Sequence, residues 1–279
     1  STTLRFLCAG SISAGGVSSP NIVLRDFDGW MIRILYPHPA LLLEEDGGRH
    51  VVISDLHIGF EERFASSGVR MESSSRMMLE TLTKILDREK PDSLIMLGDV
   101  KDSIDSINRT EWREVPSFLE ALVPRVQVRI VPGNHDGGLL PLTPKEVRIE
   151  DLRGVLIGNT GMCHGHTLVS KRFSEINRLI IGHLHPIYSR KGIALSGSQV
   201  WVMLKLSRQA LLERSKDDLI EIVVLPSFNR ELGAIGFSPY RQKMISPIMR
   251  RAQSAIQDAV IMTLDGEIIG DKTSLHYTV

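Results

Sequence analysis

His50-Val51-Val52-Ile53-Ser54-Asp55-Leu56-His57 reads as an apolar strand that closes on an aspartate and a histidine two positions apart. The same grammar returns three times. Ser93 to Leu97 leads into Gly98-Asp99, Gln127 to Val131 into Gly133-Asn134-His135-Asp136, and Leu179 to Ile181 into Gly182-His183-Leu184-His185. Each run is a short strand pattern, and each ends on residue types that bind metals or carry protons. Ligands of α/β sheets gather beyond the carboxyl ends of strands, so four such loops can converge on one site.

Outward from these four, further strands are expected at Met31 to Tyr36, Ala40 to Glu44, Gly154 to Ile157, Trp201 to Leu204, Leu219 to Val224 and Ala259 to Leu264, with Asp46-Gly47-Gly48 as a turn. Helical spacing runs from Glu72 to Lys90, where Met78, Leu82, Ile85 and Leu86 recur and Pro91 stops the turn. Glu111 to Leu122 is a second helix, with Pro116 near its first turn or marking a break. Strands interleaved with helices predict an α/β fold, a two-sheet mixed β-sandwich flanked by helices. Residues 1–30 hold a Ser/Gly/Ala-rich stretch without periodicity and are expected to be a poorly structured N-terminal extension, leaving residues 31–279 as a single domain. Ser207 to Asp218 reads as a charged surface helix or loop, and Arg241 to Gln257 as polar sequence without an assignment.

Among 279 residues, 42% are hydrophobic and 24% charged, enough for a substantial core. The formal net charge is zero, so no global positive field points to nucleic acid, although a local basic rim is compatible with it. Arg63, Arg70, Lys171, Arg172, Arg190 and Lys191 lie near the motifs and could form that rim; the plain alternative for each is a solvated face. Cys8 and Cys163 are the two cysteines, too far apart in sequence for a zinc ribbon or redox motif, and a reducing cytoplasm is expected. No apolar run approaches the roughly 18 residues of a membrane span.

The chemistry explains the residue types. Hydrolysing a phosphate ester needs a nucleophilic water near neutral pH and relief of charge on the phosphoryl oxygens, and two cations about 3.5–4 Å apart supply both. A carboxylate can bridge two metals and an imidazole cannot, which makes Asp99 the natural shared ligand, with Gly98 allowing close backbone approach. In Asp55-Leu56-His57 and His183-Leu184-His185 the outer side chains share a direction if the backbone is extended. Six of the nine histidines lie in these motifs or in Cys163-His164-Gly165-His166, a clustering that scattered core histidines do not produce. Cys163 is expected to point away from His164 and stay inert, and Met71, Met77 and Met78 fit core packing better than a recognition stripe.

The ordered set Asp55-Leu56-His57, Gly98-Asp99, Gly133-Asn134-His135-Asp136, His164-Gly165-His166 and Gly182-His183-Leu184-His185 resembles the signature of calcineurin-like metallophosphoesterases. Ile53-Ser54-Asp55-Leu56-His57-Ile58-Gly59-Phe60-Glu61, Leu97-Gly98-Asp99-Val100-Lys101 and Leu225-Pro226-Ser227-Phe228-Asn229 look like the archaeal SbcD-related branch. The resemblance implies a four-layer fold, with Asp55, His57 and His185 on a first metal, Asn134, His164 and His183 on a second, and Asp99 shared. His135 would contact the scissile phosphate and protonate the leaving oxygen, with Asp136 orienting its ring. The second carboxylate frequent in the family is Asp102, but the arginine that often follows is Ser103, and Lys101 is the candidate phosphate contact in its place. The pattern favours His164 over His166 as ligand and leaves His166 lining the cleft. A ligand set without thiolates suits Mn²⁺ first, then Fe or Zn²⁺.

The implied activity is a phosphodiesterase or phosphomonoesterase in which water attacks directly, without a covalent enzyme intermediate. The SbcD-like strings tilt the substrate toward DNA or a nucleotide. A small-molecule or cyclic-nucleotide phosphodiesterase is the near alternative. A non-catalytic metal-binding scaffold is the alternative from another class, and the presence of His135 and every ligand position argues against it.

Overall fold

A computed structural model describes residues 6–9, 21–25, 31–65, 68, 71–212, 218–232 and 246–278. The first sheet runs in sequence order through β1 (Phe6–Ala9), β2 (Asn21–Arg25), β3 (Met31–Ile34), β4 (Leu41–Glu45), β5 (Gly48–Ile53), β6 (Ser93–Leu97), β7 (Gln127–Val131) and β8 (Arg148–Ile149). Its strands are antiparallel up to β5 and parallel from β5 to β8. The second sheet is built from β9 (Val155–Ile157), β10 (Thr160–Cys163), β11 (Arg178–Ile181), β12 (Val200–Ser207), β13 (Leu219–Val224), β14 (Ile256–Thr263) and β15 (Ile268–Asp271), in the spatial order β15-β14-β12-β13-β11-β10-β9. Within it β10, β11 and β13 are mutually parallel and the other pairings antiparallel. The expected pair of mixed sheets is what the chain forms.

Alternation along the strands assigns the layers. On β5, Val52 joins Ile95, Leu97, Met162, Ile180 and the fully buried Trp201 between the two sheets. Its neighbours Val51 and Ile53 turn the other way, toward α2 (Ser75–Glu89) and α3 (Arg109–Leu122), which follow a short α1 (Glu62–Ala65). Met78, Leu82, Ile85 and Leu86 of α2 are buried at the helical spacing read from sequence, each contributing about 1.5–3 kcal/mol by transfer out of water. The outer face of the second sheet is covered by Phe173 and by Ile248, Met249 and Ala252 of α4 (Pro247–Ala252). The result is helix, sheet, sheet, helix.

Several expectations need adjusting. Helix α3 starts earlier than expected, on a reciprocal cap in which Asn108 Oδ1 accepts from Glu111 N–H and the Glu111 carboxylate accepts from Asn108 N–H. Pro116 lies inside it without ending it, because Val115, Phe118, Leu119 and Leu122 keep one continuous apolar face on the sheet. Within residues 1–30, read as an extension outside the folded unit, residues 6–9 and 21–25 are strands that continue the first sheet beyond β3; the others lie outside the described residues. In the 207–218 segment Arg208 is buried, with its guanidinium on Asp218 at 2.6 Å, while residues 213–217 lie outside the described residues. Of Arg241 to Gln257, residues 247–252 are α4 and residues 241–245 are outside the described set. Among the described residues no helix is long and apolar enough to cross a membrane.

Candidate metal centre

Both sheets present the carboxyl ends of their parallel strands to a common edge. The segment after β5 lies along the segment after β6: Asp55, His57 and Ile58 donate their N–H groups to the carbonyls of Gly98, Asp99 and Val100 at 3.1, 2.8 and 2.9 Å. His164, one residue beyond β10, donates Nδ1–H to the Leu97 carbonyl at 2.8 Å and so locks the second sheet to the end of β6. Gly98, at φ +75°, makes this approach possible, since a Cβ there would lie 2.4 Å from His164 Nδ1. The backbone of Asp55, His57, Asp99, His183 and His185 is left-handed, with φ between 42° and 70°. This corrects the expectation of an extended backbone: the side chains converge because each loop turns sharply at the ligand itself. A left-handed non-glycine residue costs about 1–2 kcal/mol, and the hydrogen bonds named above hold the conformation.

Asp55, His57, Asp99 and His185 bring one ligand atom each within 4.8 Å of one another, and Asp99, His164 and His183 do the same. Asp99 belongs to both groups. In the first, His185 Nε2 lies 2.9 Å from Asp55 Oδ1 and 3.3 Å from His57 Nε2. In the second, His164 Nε2 lies 3.2 Å from Asp99 Oδ2 and 3.2 Å from Asn134 Oδ1, which brings Asn134 to the same point. His135 stands beside both, its N–H on Asp99 Oδ1 at 2.9 Å and its Nε2 4.0 Å from Asp99 Oδ2.

The sequence model of the calcineurin-like phosphoesterases matches residues 48–220, which is more than half of the chain and holds every one of these residues. The chain belongs to the calcineurin-like phosphoesterase family. Members are hydrolases acting on phosphate esters. Among solved structures the chain is similar to the Pseudomonas putida nuclease MPE, at 17% identity and a TM-score of 0.56, covering 89% of this chain and 100% of that one. At that identity the likeness shows the fold. An Aquifex aeolicus protein of unknown function, AQ665, matches at 24% identity over 52% of this chain and 83% of that one, with a TM-score of 0.35. The Escherichia coli phosphoesterase Yfce matches at 15% identity over 80% of this chain and 97% of that one, with a TM-score of 0.37. Among curated proteins none matches the chain.

The donor set of this phosphoesterase fits divalent cations. His57 directs Nδ1–H to Asp102 Oδ1 at 3.0 Å, which leaves its Nε2 lone pair facing His185 and the carboxylates. His183 Nδ1 is buried without a hydrogen-bond partner. Buried imidazole nitrogens left without a donor, with carboxylates beside them, are the arrangement a cation satisfies. Electrostatics agree. Burial alone would raise Asp55, but His185 and His164 outweigh it and hold its carboxyl near 2. Asp99 is likewise held well below the carboxylate range, burial being outweighed by His164 and His57. Burial lowers His164, yet Asp99 and Asp55 overcome that and raise it to about 9. Burial and then the charge of His164 push His183 down to about 4.

Other readings change. Asp136 does not orient the His135 ring: its carboxylate accepts from Val100 N–H at 2.9 Å and Gly133 N–H at 2.8 Å, pinning two ligand loops together. The His135 ring is held instead by the Asp102 carbonyl, which accepts from Nδ1. Lys101 is fully buried and its ammonium donates to the Ser103 carbonyl, so it does not stand in as a phosphate contact. From the basic set, Arg63 reaches the site through two hydrogen bonds to the Asp102 carboxylate, Nε to Oδ2 at 2.6 Å among them. Arg172 pairs with Asp151, and Arg190 stacks over Tyr277. His166 is half-buried, its ring centre 5.2 Å from that of His164, beside the cluster. Cys163 is buried, with burial pushing its thiol up to about 12. Met78 packs in the core while Met77 is exposed. The role of Asp102, which clamps His57 with its carboxylate and His135 with its carbonyl, has no sequence signal beyond its spacing from Asp99.

Proposed function

We propose that this phosphoesterase is a dinuclear metal-dependent phosphodiesterase acting on nucleic acid in the cytoplasm, with residues 31–279 and the two strands at 6–9 and 21–25 in one catalytic domain. The observation that carries the proposal is the membership of Asp99 in both ligand groups. One carboxylate within reach of two sets of imidazoles is what a bridged pair of cations requires. Asp55, His57 and His185 would hold the first, Asn134, His164 and His183 the second. When bound, the cations, Mn²⁺ first, supply an activated water at neutral pH and neutralise charge on the phosphoryl oxygens.

His135 does the proton work. Its Nδ1 is committed to the Asp102 carbonyl, which leaves Nε2 to contact the phosphate and protonate the departing oxygen. Asp136 keeps the Gly133 and Val100 loops in register beneath it. The fold shared with the Pseudomonas putida nuclease and the SbcD-like strings at 53–61, 97–101 and 225–229 support nucleic acid as substrate.

The test is Mn²⁺-dependent hydrolysis of bis-p-nitrophenyl phosphate and of single-stranded and duplex DNA. The wild type is expected to act on the diester and on DNA, and His135→Ala to lose about 10²–10⁴-fold in rate. Zero rates in both proteins mark a scaffold. Turnover of cyclic nucleotides with none on DNA would move the substrate to small diesters.

A further inference from the structure

The string Leu225-Pro226-Ser227-Phe228-Asn229 follows β13, and nothing in the metal centre as described so far uses it. It lies against the first ligand loop. Three successive carbonyls of that loop are received by two residues: Ser54 O accepts from Phe228 N–H at 2.8 Å, Asp55 O from Asn229 N–H at 3.5 Å, and Leu56 O from Asn229 Nδ2 at 2.9 Å. The opposite side of the loop is held by the Gly98, Asp99 and Val100 carbonyls. Residues 54–58 are therefore gripped on one side by the first sheet and on the other by the end of a second-sheet strand.

Left-handed backbone explains why a side chain is needed. Asp55 and His57 sit at φ 57° and 46°, so the chain twists on both sides of Leu56 and its carbonyl leaves the line of a regular ladder. Leu56 is fully buried, and a buried carbonyl without a donor gives up its hydrogen bond to water with nothing in return. The Asn229 carboxamide supplies the donor that a neighbouring strand would otherwise provide. Asn229 is itself fully buried and over-determined: Nδ2 also donates to Ser74 Oγ at 3.0 Å, its Oδ1 accepts from Glu231 N–H at 3.1 Å, and its carbonyl accepts from Gln199 Nε2 at 3.3 Å. A side chain held from so many directions has one available rotamer.

We propose that Asn229 is a positioning residue for the first cation: it fixes the Asp55-Leu56-His57 turn and makes no hydrogen bond of its own to Asn134, His164 or His183, the last of which meets the turn through its N–H on the Asp55 carboxylate at 3.0 Å. The inference rests on the dinuclear reading above. Ligand-orienting partners outside the coordination sphere typically contribute 10–100-fold to metal affinity. Removing the Asn229 donor should weaken the first cation by about that factor and leave the second in place.

The experiment is a Mn²⁺ titration of the metal-stripped full chain by calorimetry, read together with the electron paramagnetic resonance spectrum. Wild type, Asn229→Asp, Asn229→Ala and Ser74→Ala are compared, with near-ultraviolet circular dichroism as the check on folding. The wild type is expected to take up two ions with a spin-coupled spectrum. Whichever Asn229 variant is folded should bind one ion at wild-type affinity, show an uncoupled spectrum, and bind the other at least about 10-fold more weakly. Ser74→Ala, which removes one partner of Asn229 but keeps the donor to Leu56, should behave as wild type. Two ions bound at unchanged affinity in a folded Asn229 variant overturn the inference, as does equal loss of both ions. Failure of both Asn229 variants to fold makes the residue structural and overturns it too. A wild type that binds fewer than two ions instead overturns the dinuclear reading on which it rests.

Discussion

Replacing Gly98 by alanine places a methyl 2.4 Å from His164 Nδ1 and 2.7 Å from Gly133 Cα, where ordinary contact begins at 3.4 Å. The His164 ring and the loop bearing Asn134 must therefore retreat by roughly 1 Å. Two costs follow. A left-handed alanine at φ +75° costs about 1–2 kcal/mol and the overpacking about 1–3 kcal/mol, together about 2–5 kcal/mol of stability. Misplacement of reacting groups by about 1 Å lowers kcat about 100-fold. Gly47→Ala is the matched control, because Gly47 shares the left-handed backbone at φ +74° but would place nothing within 4 Å of its methyl. Chemical denaturation and steady-state hydrolysis of bis-p-nitrophenyl phosphate read the two effects. Gly98→Ala should lose both stability and kcat, whereas Gly47→Ala should lose about 1–2 kcal/mol and keep its kcat. A Gly98→Ala protein with wild-type kcat would refute the claim that the second sheet is docked through this contact.

Three further outcomes are expected. Asp102→Asn removes the carboxylate behind His57 Nδ1, and Mn²⁺ affinity by calorimetry should fall about 10–100-fold; an unchanged affinity would show that Asp102 does not orient its neighbour. Burial raises the Glu89 carboxyl, but Arg33 and Arg88 outweigh it and hold it below the ordinary glutamate range. Its stabilisation is thus present above the unfolded pKa and lost as pH falls through the lower folded value; urea denaturation should show wild type about 1–3 kcal/mol more stable than Glu89→Gln at pH 7, with the gap closing in acid. Cys163, buried with its thiol raised to about 12, should resist iodoacetamide at pH 8 in the folded protein and react after unfolding, as peptide mass spectrometry can follow.

The strands that deliver ligands were legible where they are apolar. His50 to Ser54, Ser93 to Leu97, Gln127 to Val131 and Leu179 to Ile181 match β5, β6, β7 and β11 closely. β10 was not, although it leads into His164, because Thr160-Gly161-Met162-Cys163 shows no alternation and only one large apolar residue. Its glycine is required by the packing: a Cβ on Gly161 would lie 2.9 Å from the Phe173 ring, a contact that arises from distant sequence. The ligand types and their order were visible, but the left-handed turns that aim Asp55, His57 and Asp99 were not, since none is a glycine. Lys101 and Asp136 were misread for one shared reason. The place of Lys101 just after Asp99, and of Asp136 just after His135, fixes where the backbone passes and says nothing of whether a side chain faces the cleft or the loops beneath it. Asn229 was visible as part of a string and acquires a task only once the end of β13 is seen beside Leu56.

Anomalous scattering from crystals grown with Mn²⁺ tests the dinuclear centre most directly. Two peaks about 3.5–4 Å apart are expected. One should lie among Asp55, His57 and His185, the other among Asn134, His164 and His183, with an Asp99 oxygen between them. A single peak, or a pair without Asp99 in contact with both, would contradict the account.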